Sequence, residues 1–467
     1  MGRKPVKACH NNMSNTFENL GLADPIVRAL ADKGYDKPTP IQQKAIPIVL
    51  AGNDVLAAAQ TGTGKTAGFT LPIMHRLSEH DGSGGKRFIR ALILTPTREL
   101  AAQIRDNIEL YGKNLNLKQA VVFGGVKINP QIATLRAGVD ILIATPGRLL
   151  DLCNQGKCDL SQVEVLVLDE ADRMLDMGFV NEMRKVVKLI PKKRQNLLFS
   201  ATFSKEIRVL TKEFLVNPKT VEVASQNAAA QTVKQRAYRC DASCKANLTV
   251  KLMTAGNWEQ VLIFTRTKHG ADRLTKHLKA SVIKAAAIHG GKTQNARVRA
   301  LDDFKNKRIR VLVATDIAAR GVDISQLPYV LNYELPNVSE DYVHRIGRTG
   351  RAGQEGEAIS LVSNDERAFF KDIEKLIKQK IQLDDVEGFE PNEWPARMPT
   401  ANEVQKARDE RRKAAAQARG PRKPRNQGSK KNSKGQSGKS GKSSDEQKTA
   451  AKKTTGNRRF RGNRRPR

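Results

Sequence analysis

Along the first 385 residues, short apolar runs recur between longer stretches of mixed polarity. They include Leu92–Leu94, Ile141–Ile143, Val165–Leu168, Leu197–Phe199, Val261–Phe264 and Val311–Ala314. Each is about strand length and apolar on both faces, the pattern of a buried parallel strand. The stretches between them are helical in pattern. Asp365–Lys380 is one example, with Phe369, Ile373, Leu376 and Ile377 on one stripe. Alternation of the two predicts an α/β fold with right-handed crossovers. A low-complexity bridge, Ala224–Ala230, separates the first group of strands from the second. The expected organisation is a flexible extension (1–14), a parallel-sheet domain (15–224), a second one (225–385) and a tail (386–467).

Polar chemistry follows nearly every apolar run. The runs end in Thr95-Pro96-Thr97-Arg98, Thr145-Pro146-Gly147-Arg148, Asp169-Glu170, Ser200-Ala201-Thr202, Thr265-Arg266-Thr267 and Thr315-Asp316. In open α/β sheets, ligands bind at the carboxyl ends of the strands. The most specific signal is Ala59-Gln60-Thr61-Gly62-Thr63-Gly64-Lys65-Thr66. Its glycines let backbone N–H groups wrap phosphates, Lys65 reaches the β- and γ-phosphates, and Thr66 is placed to ligate Mg²⁺. Asp169-Glu170-Ala171-Asp172 supplies a carboxylate for Mg²⁺, held largely through water, and a Glu to orient or deprotonate attacking water. Alone, that cluster would pass for acids at a helix N-terminus; paired with Lys65 it points to nucleoside triphosphate hydrolysis. The second domain has no such lysine loop. It offers His344-Arg345-Ile346-Gly347-Arg348-Thr349-Gly350-Arg351, whose arginines suit the charge that develops in phosphoryl transfer. Hydrolysis then requires the two domains to close on one another.

Charge changes the picture at one end. The 467 residues carry 82 Lys and Arg against 48 Asp and Glu, a net of +34. Residues 401–467 alone hold 23 basic and 5 acidic residues with one aromatic, Phe460. Such a segment is expected to stay disordered and to hold nucleic acid loosely without sequence preference, a solubilising tail being the alternative. No apolar run approaches the ~18–20 residues of a membrane span. The amino-terminal MGRKPVKACHNN lacks the apolar stretch of a secretory signal, and Val6 disfavours myristoylation at Gly2. Met13 is an alternative start to Met1. Five Cys make no disulfide framework, and neither Cys153/Cys158 nor Cys240/Cys244 has the spaced His partners of a zinc site. Trp258 and Trp394 read as packing residues, the Tyr329–Tyr333 strand as core, and His75, His80, His269 and His277 as solvated. His289 reads equally as a cleft residue or an ordinary loop histidine.

With these motifs in this order, residues 15–385 resemble a DEAD-box ATP-dependent RNA helicase, most like the bacterial RhlE type. The resemblance implies two tandem RecA-like domains that use ATP and Mg²⁺. Gly34-Tyr35-Asp36-Lys37-Pro38-Thr39-Pro40-Ile41-Gln42 is similar to the family's Q motif, which implies that Gln42 reads the adenine edge and Phe17 stacks on the ring. The phosphate contacts would come from Ala59, Thr61, Gly62, Thr63, Gly64, Lys65 and Thr66. Gly321 and Asp323 would meet the ribose, and Arg348 and Arg351 would be the arginine fingers beside His344. RNA contacts would come from Pro96, Thr97, Arg98, Gly125, Thr145, Pro146, Gly147 and Arg148 in the first domain. Gln294, Arg297 and Thr315 would supply them in the second. Asp172, Ser200 and Thr202 would couple hydrolysis to unwinding. These residue types position a strand through phosphates and 2′-OH groups without reading bases. The expected partner is structured or duplex RNA, ribosomal or messenger, in a bacterial cytoplasm, with a role in ribosome assembly or RNA decay. An ATP-controlled RNA clamp or annealing chaperone would use the same motifs.

Overall fold

The structure is a computed structural model, and it describes residues 16–59, 63–79, 85–223, 233–319, 324, 326–350, 356–392 and 394. The extension, the 224–232 bridge and, within the expected tail, residue 393 and residues 395–467 lie outside the described residues.

Two seven-stranded sheets dominate the described chain. The first contains β1 (Val55–Ala58), β2 (Ala91–Leu94), β3 (Gln119–Val122), β4 (Ile141–Ala144), β5 (Val165–Leu168), β6 (Gln195–Ser200) and β7 (Lys219–Glu222). Its order is β3-β4-β2-β5-β6-β1-β7, and every pairing is parallel. The second contains β8 (Lys234–Arg239), β9 (Val261–Thr265), β10 (Ala285–Ile288), β11 (Val311–Thr315), β12 (Tyr329–Asn332), β13 (Glu357–Val362) and β14 (Leu383–Asp384). Its order, β10-β11-β9-β12-β13-β8-β14, is again all parallel.

The two-residue period of a strand divides the apolar runs between two faces. Ile93, Ile141, Ile143, Val165 and Val167 enter one core, while Leu92, Leu94, Leu142, Leu166 and Leu168 enter the core on the opposite face. The second sheet does the same, with Val261, Ile263, Val311 and Val313 on one side and Leu262, Phe264, Leu312 and Ala314 on the other. Helices cover both faces, which is why these runs are apolar throughout.

Parallel register brings the polar strand ends to one edge. Leu94 lies beside Ala144 and Leu168, Leu168 beside Leu198, and Ala58 beside Ser200. In the second sheet Thr265 lies beside Thr315.

One expected element is shorter than its periodicity. The helix expected over Asp365–Lys380 runs from Arg367 to Ile377. Asn364–Glu366 form a 3-10 turn instead, because Ser363 and Glu366 close a capping box there. Lys378, at φ 54°, ends the helix in the left-handed region. Packing continues beyond 385, where Val386 and Phe389 rest on one core of the second sheet and Trp394 on another. Trp258 is buried and stacked on Tyr329 at 4.8 Å. No helix among the described residues is long and apolar enough to cross a membrane.

Candidate active site

Buried β1 delivers the chain to Ala59, and Lys65 opens the helix Lys65–Glu79. Gly64 sits between them at φ +92°, and a Cβ there would meet Gln42 Nε2 at 2.4 Å. Only glycine fits so close an approach. Gln42 comes from the helix Pro40–Leu50, donates to the Gly64 carbonyl at 3.1 Å and accepts from Thr39 N–H at 2.9 Å. Its carboxamide thus ties the start of its own helix to the phosphate loop. Phe17 is 4% exposed and packs in the first core. Thr61 and Gly62 lie outside the described residues.

Lys65 is buried, and its Nζ has no hydrogen-bond partner among the described residues. Beside it, β5 ends at Leu168 and is followed by Asp169, also buried. Burial pushes the Asp169 carboxyl up to about 7; Lys65 opposes that rise and the Glu170 charge adds to it. Glu170 stands at φ 51°, a strained conformation for a residue with a Cβ, and pairs with Arg173 at 3.2 Å. Burial also opposes ionisation of Asp172. Arg173, His344 and Lys65 outweigh it and hold that carboxyl below its ordinary value. Asp172 accepts from the Ala201 N–H at 3.0 Å, and Ser200 Oγ accepts from the Thr202 N–H at 3.3 Å. The acidic strand end is therefore wired to the Ser200-Ala201-Thr202 segment.

The second sheet reaches this cluster through His344, in the helix Ser339–Ile346. Its position lets it act on Asp172. Arg348 follows that helix and is 4% exposed. Gly321, Asp323 and Arg351 lie outside the described residues.

The residues expected to meet RNA form a second group. Thr97 caps the helix Arg98–Tyr111, accepting from Leu100 N–H at 3.3 Å. Pro96, Thr145 and Pro146 are buried at the ends of β2 and β4, while Gly147 is exposed. The Arg98 guanidinium lies against Gly125, leaving no room for a Cβ there. Burial lowers the Arg98 pKa, and Arg297 and Arg148 lower it further against the pull of Glu99. Gln294 donates to Glu99 at 2.8 Å, and Arg297 pairs with the same carboxylate at 2.9 Å. Arg148 donates to the Val126 carbonyl at 3.2 Å. Thr315 closes β11 and is half-buried.

Three residues here have roles the sequence did not assign, and one of them, Arg345, stood among the arginines read for phosphoryl transfer but is bound within the second domain instead. Glu99 joins motifs from both sheets. Arg345 is 1% exposed and donates to both oxygens of Asp316, at 2.6 and 2.7 Å, to the Glu334 carbonyl at 2.6 Å, and to Asn332. Glu366 is fully buried and binds Lys245, Arg266 and the Leu335 N–H. His289 proves to be a buried, structured histidine, bonded to Asp272 at 3.1 Å and to the Gly291 N–H. Among the described residues no group of three or more His, Cys, Asp or Glu gathers as a metal site.

A phosphate loop, an acidic strand end and a second sheet bearing arginines together define a two-domain nucleoside triphosphatase. Residues 39–210 match the DEAD/DEAH box helicase family and residues 244–353 the helicase conserved C-terminal domain. The chain is 40% identical over 388 residues to the ATP-dependent RNA helicase CshA of Limosilactobacillus reuteri, covering 83% of this chain and 75% of that one. It is 41% identical to the ATP-dependent RNA helicase RhlB of Pseudomonas syringae, covering 79% and 94%. Among solved structures it resembles S. cerevisiae Dbp5 bound to RNA and ADP BeF3, with a TM-score of 0.70, 30% identity and coverage of 85% and 99%. The chain belongs to the DEAD-box ATP-dependent RNA helicases, and its two sheets are the tandem RecA-like domains of that family.

Proposed function

We propose that this protein binds RNA across its two domains, closes on ATP to separate short duplexes locally, and resets when ATP is hydrolysed to ADP and phosphate. The observation that carries the reading is the buried Lys65 ammonium, unpartnered among the described residues and set beside an Asp169 carboxyl that burial pushes up to about 7. A buried cation without an acceptor suits an anion, and a carboxyl destabilised in its charged form suits a metal cation.

Lys65 and the N–H groups of 59–66 hold the triphosphate. Thr66 and Asp169 would hold Mg²⁺ largely through water, and the ion would neutralise charge on the phosphate oxygens. Glu170 orients the attacking water and takes its proton. Arg348 and Arg351, beside His344, stabilise the charge that develops on the transferred phosphoryl group. Gln42 and Phe17 flank the adenine, and Gly321 and Asp323 the ribose. Asp172 links the acidic strand end to Ser200 and Thr202, so a change at the phosphates is felt where the RNA surface begins.

On the RNA side, Pro96, Thr97, Arg98, Gly125 and Thr145–Arg148 face the backbone from the first domain, and Gln294, Arg297 and Thr315 from the second. Closure then bends one strand in a way a stacked duplex cannot follow. The RNA-bound Dbp5 relative supports this reading. The setting proposed is a bacterial cytoplasm, in ribosome assembly or RNA decay. A duplex-unwinding assay with Glu170→Gln tests the mechanism. Loss of catalytic strand separation supports a helicase. Unwinding at the wild-type rate without turnover contradicts it and points to an ATP-controlled clamp.

A further inference from the structure

A parallel sheet has two chemically different ends, and the strand-end residues assigned so far in the first domain lie at the carboxyl end of its sheet. At the opposite end, where β2, β3 and β4 begin, there is a cavity of about 650 Å³. Strands of four residues place it about 13 Å or more from the carboxyl ends. Its floor is apolar, formed by Ile89, Leu135 and Val139. Among the described residues its lining carries five cations, Lys86, Arg87, Lys118, Arg136 and Lys157, against one acid, Asp159. Asp159 accepts the Ser161 N–H at 2.9 Å, and that bond holds its carboxyl below its ordinary value. Phe88 lines the same cavity and remains 44% exposed, with Lys86 5.6 Å above the ring.

The cavity is built rather than incidental. Buried Asp140 binds the Arg87 guanidinium and accepts the Lys118 N–H at 2.7 Å. Arg87 also donates to the Asn116 carbonyl and side chain at 3.0 and 2.9 Å. Gly138, at φ +82°, leaves the Arg87 stem space that a Cβ would crowd at 3.0 Å. Lys118 and Arg136 remain exposed.

We propose that this cavity is a second binding site for single-stranded RNA, in which one base stacks on Phe88 and the adjoining phosphates sit against Lys118 and Arg136. An exposed ring beside clustered cations is how a protein holds a single strand without reading its sequence. The volume, within the ~300–1,000 Å³ of small-ligand sites, leaves room for a base and its adjoining sugar and phosphate. The acid-poor rim excludes a basic occupant, including the chain's own tail. The site would let the protein stay on a long RNA while the cleft opens and closes on a distant segment. The proposal rests on RNA as the ligand of the cleft.

The test uses the full chain with Lys118→Glu/Arg136→Glu and, separately, Phe88→Ala. Binding of a long and a short single-stranded RNA is followed by fluorescence anisotropy across a salt series. For the long RNA, the charge reversal should weaken binding roughly tenfold and lower the salt slope by about 1.4, for two phosphate contacts. Phe88→Ala should weaken it by at least about fivefold. Stimulation of ATP hydrolysis by the short RNA should be unchanged in both. Unaltered long-RNA affinity and slope in both variants overturns the proposal. So does loss of short-RNA stimulation, which would assign the residues to the cleft. Weaker binding of a polyglutamate peptide with RNA binding intact overturns it in favour of an acidic protein partner. If short RNA fails to stimulate the wild-type chain, the helicase reading itself fails, and that result is separate from the others.

Discussion

Each sheet buries a lysine under its strand ends, and the two lysines live in opposite circumstances. In the second domain Lys245 is 2% exposed and meets the Tyr333 carbonyl at 3.0 Å, the Leu361 carbonyl at 2.7 Å and the Glu366 carboxylate. All three of its donors are used. In the first domain Lys65 is 6% exposed and its Nζ has no hydrogen-bond partner among the described residues. Its neighbours Asp169, Glu170 and Asp172 crowd one strand end, and burial disfavours the charged form of Asp169. The same contrast separates Arg345, bidentate to Asp316, from the acids of the first sheet. Paired buried charge holds a domain in shape, whereas buried charge left short of partners is arranged for a ligand.

The largest expected difference lies between substitutions of those two lysines. Lys65→Ala should reduce ATP turnover by about 10³-fold or more and leave stability within about 1 kcal/mol. Lys245→Met should do the reverse, costing about 3–5 kcal/mol in a denaturant melt by leaving Glu366 short of a cation. Comparable loss of stability in both would erase the contrast.

Next in size is the coupling between Lys245 and Glu366. Glu366→Gln should cost about 2–4 kcal/mol alone, yet far less than additively when combined with Lys245→Met. Additive losses would show that the pair is not a unit.

A smaller effect tests the strained side. Folding raises the Asp169 pKa from 3.8 to about 7, so the native chain keeps a proton that the unfolded chain releases. Asp169 therefore costs stability progressively as pH rises from about 4 to about 7, and the cost is constant above that. Asp169→Asn removes it. Urea midpoints should show a gain over wild type that grows across this window to on the order of 1–3 kcal/mol at pH 8. An equal gain at pH 5 and pH 8 would count against the raised pKa.

The smallest effect concerns Glu99, which holds Gln294 and Arg297. Glu99→Gln should change RNA affinity by about 1 kcal/mol or less, since one charged partner is replaced by a neutral acceptor. An effect as large as that of Lys65→Ala would make Glu99 part of the chemistry.

The two regions also differ in how far the sequence disclosed them. Lys65 and Asp169 each stand in a short contiguous motif after an apolar run, so local pattern sufficed. Arg345 and Asp316 are 29 residues apart, and Lys245 and Glu366 are 121 apart. Such pairs exist only once the sheet has brought their strands together. Glu366 itself looked like one more polar position at the start of a helix, yet it turns inward to Lys245. The strands show the same divide. Central β2, β4, β5, β9 and β11 are apolar on both faces and were evident. Edge strand β7, Lys-Thr-Val-Glu, has one buried residue, and β8, Lys-Gln-Arg-Ala-Tyr-Arg, is mostly polar, so neither stood out from loop sequence. Phe88 and the cations around it are scattered over four segments of the first domain, and no spacing announced them.

The central claim is that Lys65 and its acidic neighbours form an ATP-hydrolysing centre that the second domain completes when RNA is bound. Steady-state ATP hydrolysis by the full chain, with and without single-stranded RNA, tests it most directly when wild type is compared with Lys65→Ala and Arg348→Ala. The account predicts RNA-stimulated turnover in the wild type and none above background in either variant. RNA-stimulated hydrolysis that survives Lys65→Ala would contradict it.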